Sequence, residues 1–104
     1  MTGYLLSPAA QVDLGQIWDY SARTWGEDQA DRYVLAIRDA CHALADRRWQ
    51  GRPIDAVRPG YRKLAVASHF LFYRFTGAGV IDVVRILHQQ MDAATHLWTE
   101  AGDK

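Results

Sequence analysis

The chain has 104 residues, 49% hydrophobic and 23% charged, and its twelve acidic residues balance its twelve lysines and arginines. That length fits a single domain spanning residues 1–104 with its own core, and four tryptophans and five tyrosines exclude a disordered chain. No stretch approaches the roughly 18 consecutive apolar residues of a membrane span, and the N-terminus lacks a basic run leading into an apolar one, so the expectation is a cytoplasmic protein without membrane contact.

The charges are unevenly placed. From Met1 to Asp46 seven acids outnumber three arginines, whereas from Arg47 to Lys63 six cations face Asp55 alone. An acidic first half therefore precedes a basic middle. Cys41 is the one cysteine, which removes any disulfide framework and any CxxC pattern; it reads as a small buried hydrophobe.

In chain order, "YLLSP" opens with a short apolar piece followed by Ser7 and Pro8, an N-cap and first-turn proline that predict a helix from Pro8. Ala10, Leu14, Ile17, Ser21 and Trp25 recur at spacings of three and four and predict its inward stripe. Asp13 and Asp19 fall off that stripe and read as solvated acids. Gly26 ends the helix, and Glu27 and Asp28 suit the start of a second, whose stripe runs Ala30, Tyr33, Val34, Ile37, Cys41 and Leu44 to about Arg47 or Arg48. So short a link folds the two helices back on each other as a hairpin.

"WQGRPIDAVRPGYR" holds two prolines and two glycines and reads as a loop with little regular structure. Beyond it "YRKLAVA", "HFLFYRF" and "GVIDVVRILH" are β-branched and aromatic, separated by Ala67-Ser68 and "TGAG", so three antiparallel strands are predicted. Their near-continuous hydrophobicity implies a sheet covered on one face by the hairpin and partly apolar on the other. The fold class is α+β. "MDAATHLWTE" reads as a short terminal helix or a frayed tail, with residues 97–104 beyond any core.

Strict alternation in the last strand puts Arg85 with Ile81, Val83 and Leu87, and His88 on the opposite face with Asp82, Val84 and Ile86. That separates Arg85 from His88 unless a bulge intervenes. Asp82 and Asp92 are the partners expected for Arg85. Arg62, Lys63, Tyr73, Arg74 and Arg85 fall on neighbouring strands, either as a phosphate-gripping face or as a solvated side of the sheet. His42, His69, His88 and His96 have no HxxxH spacing and no cysteine companion, so no metal site is expected. With no GxGxxG or GxxxxGK[ST], no nucleotide cofactor is expected either. Trp18 and Trp25 read as packing or interface anchors.

"LSPAAQVDLGQIWDY", "WGEDQADRY", "GRP", "RPGYR", "SHFLFYRF" and "VRILHQQMD" together resemble, in order and spacing, the ParE toxins of the RelE/ParE toxin-antitoxin superfamily, over about residues 4 to 97. The resemblance implies a helical hairpin on an antiparallel sheet, and a non-enzymatic toxin that poisons DNA gyrase and is neutralised by a ParD-like ribbon-helix-helix antitoxin. It implies no cofactor and no sequence-specific nucleic acid binding by the toxin alone. Trp18, Trp25, Tyr33, Arg47, Arg48 and Arg52 are the expected antitoxin contacts, and Arg58, Arg62, Tyr73, Arg85 and His88 the expected target contacts. The runner-up is the RelE branch, which cleaves messenger RNA on the ribosome; Arg62, Tyr73, Arg85 and His88 stand in similar places. A ribosome binder displaces counterions over many phosphates at once and is usually strongly basic, whereas this chain is neutral overall, which argues against the RelE role. A third reading is a remnant that binds antitoxin and has lost its target.

Overall fold

The computed structural model describes residues 3–91. Its elements are β1 (Tyr4–Leu6), α1 (Pro8–Trp25), α2 (Glu27–Ala45), β2 (Arg52–Pro53), β3 (Tyr61–Val66), β4 (His69–Phe75) and β5 (Ile81–His88). The helix starting at Pro8, the hairpin and the three C-terminal strands follow the pattern of the sequence. The terminal segment expected after Met91 lies outside the described residues.

Ser7 begins α1 in extended conformation. Its Oγ accepts from the Ala10 N–H at 3.0 Å and donates to the Val84 carbonyl at 2.7 Å, so one hydroxyl both caps the helix and ties it to the sheet. Gly26 joins the helices at φ 98°, a left-handed value that a side chain would resist. α2 stops at Ala45, short of Arg47, because the chain closes there: Arg47 turns to φ 65° and the Arg48 N–H returns to the Ala43 carbonyl at 2.9 Å.

The sheet runs β1-β5-β4-β3-β2, with β1 parallel to β5 and every other pair antiparallel. The loop after α2 carries more order than its prolines and glycines imply. Arg52 and Pro53 pair with Lys63 and Arg62 as a two-residue edge strand, a place where proline's missing N–H costs little. Gly51 makes this possible: a Cβ there would collide with the Lys63 carbonyl and lie 2.8 Å from Tyr73 Oη.

The hairpin covers one face of the sheet, where Ile17, Ile37, Leu44, Leu71, Ile81 and Val83 form the main core. Cys41 belongs to it, and burial pushes its thiol up to about 12. The far face carries a smaller cluster of Ile54, Tyr61, Phe72, Val84 and Leu87, with the 54–58 loop folded onto it. The sheet is thus apolar on both faces.

Two inward stripes need correction. Trp25 stands 58% exposed, whereas Asp13, expected in solvent, is buried with Ile17 and Ser21. The alternation of β5 also breaks. Phe72 pairs with Arg85 and Tyr73 with Val83, leaving Val84 as an extra residue. This bulge shifts the phase, so that Ile81, Val83 and Ile86 face the helices while Val84 and Leu87 face away.

Candidate functional site

Arg85 reaches α1 at the edge of β5 that β1 does not cover. Its Nε and Nη2 donate to the Asp13 carboxylate at 2.7 and 2.9 Å, and the Ile86 N–H donates to the same carboxylate at 2.9 Å. The partner is therefore neither of the two acids expected from the sequence. Asp82 binds Arg74 instead, at 3.2 Å, and Asp92 lies outside the described residues. β1 ends at Leu6, so the second half of β5 has no neighbouring strand on that side; Asp13 takes up one backbone donor that the missing strand leaves open. Arg85 and Asp13 keep only 14% and 9% of their side-chain surface, and the fork-to-carboxylate geometry is the kind that holds a buried charge.

Beside this pair a cavity of about 420 Å³ opens between α1 and the end of β5. Asp13, Ile17, Tyr20, Ser21 and Trp25 line it from α1, Tyr33 from α2, His69 from β4, and Arg85 and His88 from β5. Arg85 and His88, assigned to opposite faces by strict alternation, thus share one groove. Tyr20, Trp25 and Met91 rim it with well-exposed apolar surface, and the Tyr20 and Trp25 rings meet edge to face at 5.9 Å. These exposed large side chains are thus gathered at one rim rather than scattered over the surface.

At its inner end the Tyr33 hydroxyl lies 2.7 Å from His69 Nδ1 and accepts the Ser68 N–H at 3.0 Å. The direction of the Tyr33–His69 bond follows the imidazole tautomer, since the phenol oxygen can accept a second N–H or donate its own proton. Burial and then the nearby His88 hold the His69 pKa below its usual 6.5, against a smaller upward pull from Asp13. His69 and His88 are direct cross-strand partners, their rings 5.3 Å apart. His88 Nδ1 accepts the Gln90 N–H at 3.2 Å. His69 was missed in the sequence because only the β4–β5 register puts it beside His88.

The other expected residues lie elsewhere. Tyr73 is wholly buried, and its hydroxyl accepts the Gly51 N–H at 2.7 Å; the Gly51 carbonyl in turn accepts Arg62 Nη1 at 2.8 Å. These two side chains hold a loop, and Tyr73 offers no surface to a target. Trp18 sits where α1 meets α2, its indole N–H donating to Asp31 at 2.9 Å. Arg47 and Arg48 follow the far end of α2, about 20 Å along the helix from Tyr33; Arg47 covers the Phe75 ring at 4.6 Å and Arg48 meets Asp46. Arg52 and Arg58 lie on the face turned away from the helices, Arg58 over Tyr61 at 4.7 Å. Arg62, Tyr73, Arg85 and His88 therefore do not form one constellation. Among the described residues no group of three or more potential metal ligands gathers.

The family model for the ParE toxin of the type II toxin-antitoxin system parDE matches residues 4–93. The chain belongs to the ParE toxin family. It is 53% identical over 94 residues to Toxin ParE1 of Mycobacterium tuberculosis strain H37Rv, covering 90% of this chain and 96% of that protein. Toxin ParE1 of Caulobacter vibrioides is 40% identical over 98 residues, covering 93% and 99%. A solved chain from the chromosomal ParDE system of P. aeruginosa superposes with a TM-score of 0.72 at 25% identity, over 85% of this chain and 95% of that one. A ParE toxin is one component of a type II toxin-antitoxin system, and the α+β architecture with two helices on a five-stranded sheet is shared with that solved ParDE chain.

Proposed function

We propose that this ParE toxin arrests growth by binding DNA gyrase in the cytoplasm, without catalysis, and that a ParD-like ribbon-helix-helix antitoxin neutralises it by seating an apolar segment in the groove between α1 and β5. The observation that carries the antitoxin half is the groove rimmed by Tyr20, Trp25 and Met91. It is large enough for two or three side chains, has aromatic walls, and ends in a polar floor of Asp13, Arg85, His69 and Tyr33 that is already hydrogen-bonded. An amphipathic helix laid along it would bury its apolar face without leaving those groups unsatisfied. Trp25 and Tyr33 act there, with Trp18 alongside, while Arg47 and Arg48 provide a separate basic contact for an acidic antitoxin tail. The P. aeruginosa relative comes from a ParDE system, which supports an antitoxin of the ParD class for this chain as well.

The binding, non-catalytic reading is supported by the dispersal of Arg62, Tyr73, Arg85 and His88, the residues that a messenger RNA nuclease of this fold would need together. No helix of the described residues is long and apolar enough to cross a membrane. The test is induced expression without antitoxin, followed by supercoiling assays with the purified protein. Growth arrest with gyrase inhibition is expected. Messenger RNA cleavage in a translating extract with gyrase untouched would replace this reading by the RelE one, and the absence of any toxicity would leave a remnant that only binds antitoxin. Trp25→Ala should weaken antitoxin binding by at least about ten-fold, the effect of removing an aromatic anchor.

A further inference from the structure

The face of the sheet turned away from the helices carries an arrangement that neither core packing nor the groove uses. Arg52 of β2 and Lys63 of β3 are direct register partners across an antiparallel pair, which puts two cations side by side on one face. Like charges directly opposite destabilise a sheet. Among the described residues neither has an acidic partner within ion-pair distance; Lys63 Nζ instead rests 4.3 Å from the centre of the Phe70 ring. Two strands along, Arg74 lies over Tyr61 at 5.6 Å, with half of its side chain exposed although it also meets Asp82. Arg58 stacks on the same Tyr61 ring. Aromatic rings thus support Lys63, Arg74 and Arg58 on this face, beside Arg52 of β2.

We infer that this face is a docking surface for the phosphate backbone of duplex DNA. The inference deepens the gyrase reading, on which its biological setting rests: the toxin contacts the DNA that gyrase holds as well as the enzyme. The opposed Arg52 and Lys63 cost stability in the free chain and are relieved by closely spaced anions, which a duplex supplies continuously. An acidic protein partner is disfavoured by what the face lacks. A stable protein interface needs a desolvated apolar anchor. Of the strongly exposed apolar side chains of the described residues, Leu5, Trp25, Leu35 and Met91 lie off β2 to β4, Phe75 of β4 meets Tyr73 on the helix side and Trp49 stands in the loop before β2, while Tyr61 and Phe72 on the outward face are buried. Phosphate recognition needs charge and donors without such an anchor. Backbone contact carries no sequence preference, so it agrees with the expectation that the toxin reads no specific site.

The test is fluorescence anisotropy of the purified full-length toxin with a labelled duplex across a salt series, using wild type, Arg52→Gln/Lys63→Gln, and Arg23→Gln on the outer side of α1 as control. Wild type should bind with an affinity that falls steeply with salt. The double variant should bind about ten-fold or more weakly at low salt and lose about 1.8 from the log–log salt slope, about 0.9 for each phosphate contact. Its urea midpoint should equal or exceed that of wild type, since a repulsive pair has been removed; a structural role for the pair would lower it. Absence of duplex binding by wild type at low salt, or an unchanged slope in the double variant, overturns the inference. So does a double variant that keeps DNA affinity and loses antitoxin affinity, because the face then belongs to an acidic protein. Wild type that binds the duplex without inhibiting gyrase supports this surface and refutes the gyrase reading, so the two can fail separately.

Discussion

The Asp13–Arg85 pair makes the sharpest quantitative claim about this fold. Asp13→Ala removes two charge-assisted bonds to Arg85 and the acceptor for the Ile86 N–H, inside a site where both side chains are nearly buried. Breaking a buried pair from one side costs about 3–5 kcal/mol, because the remaining charge stays desolvated. Arg85 has a further interaction besides Asp13, so the lower end, about 3 kcal/mol, is expected. For a domain of this size that corresponds to a fall in Tm of about 12–24 °C, and it removes a large share of an ordinary domain's stability. Asp13→Asn keeps an oxygen for the Ile86 N–H and loses the charge, for about 1.5–3 kcal/mol. Replacing both partners with Asp13→Leu/Arg85→Met should return the protein to within about 1 kcal/mol of wild type. The assay is urea unfolding followed by tryptophan fluorescence, closed as a double-mutant cycle. A loss below about 1 kcal/mol for Asp13→Ala, or a coupling near zero, would mean that the pair behaves as a solvated one and would refute the account of how Arg85 is accommodated in β5.

Three further perturbations test other joints. Ser7→Ala removes both the helix cap at Ala10 and the donor to Val84 and should cost about 2 kcal/mol in the same unfolding assay; a cost under about 0.5 kcal/mol would show the cap to be idle. Gly51→Ala places a methyl against the Lys63 carbonyl and the Tyr73 hydroxyl and should cost about 1–3 kcal/mol, with weakened amide protection at Arg52 and Lys63 as its local signature in hydrogen exchange. His69 is held below its usual pKa of 6.5 by burial and by His88. The unfolded chain therefore binds the proton first: the stability contributed by neutral His69 is complete above pH 6.5 and is lost as pH falls from there through the folded pKa. Proton NMR titration should place His69 below 6.5, and His69→Gln should flatten that part of the stability profile; a value at or above 6.5 contradicts the dominance of burial and of the neighbouring His88.

Much of the fold was legible because its signals are local. Ser7-Pro8 specifies a helix start within two residues, Gly26 permits the backbone conformation that turns α1 into α2, and the strands after Arg58 are rich in β-branched and aromatic residues. The elements that departed from expectation are those decided by distant contacts. The Arg52–Pro53 strand exists because Gly51 can approach the Lys63 carbonyl, and no propensity of "GRP" reports that approach. Asp13 looks like any helix acid until β5 places a guanidinium and an N–H against it, 72 and 73 residues away.

The site was less legible than the fold because one residue of phase decides it. Period-two reading put Arg85 and His88 on opposite faces, and it holds from Ile81 to Val83. The bulge at Val84 then adds one residue against Phe72, and every later side chain of β5 changes face. Had alternation continued, Ile86 would have left the main core and His88 would have turned away from His69. The bulge brings Ile86 under the helices and His88 against His69, while Arg85, paired with Phe72, reaches Asp13 around the edge that β1 is too short to cover. The groove that receives a partner in this account is therefore a product of two departures from regularity, a three-residue β1 and a single bulge. Both are backbone features, set by strand length and register, so the individual types of Arg85 and His88 could not disclose that they line the same surface.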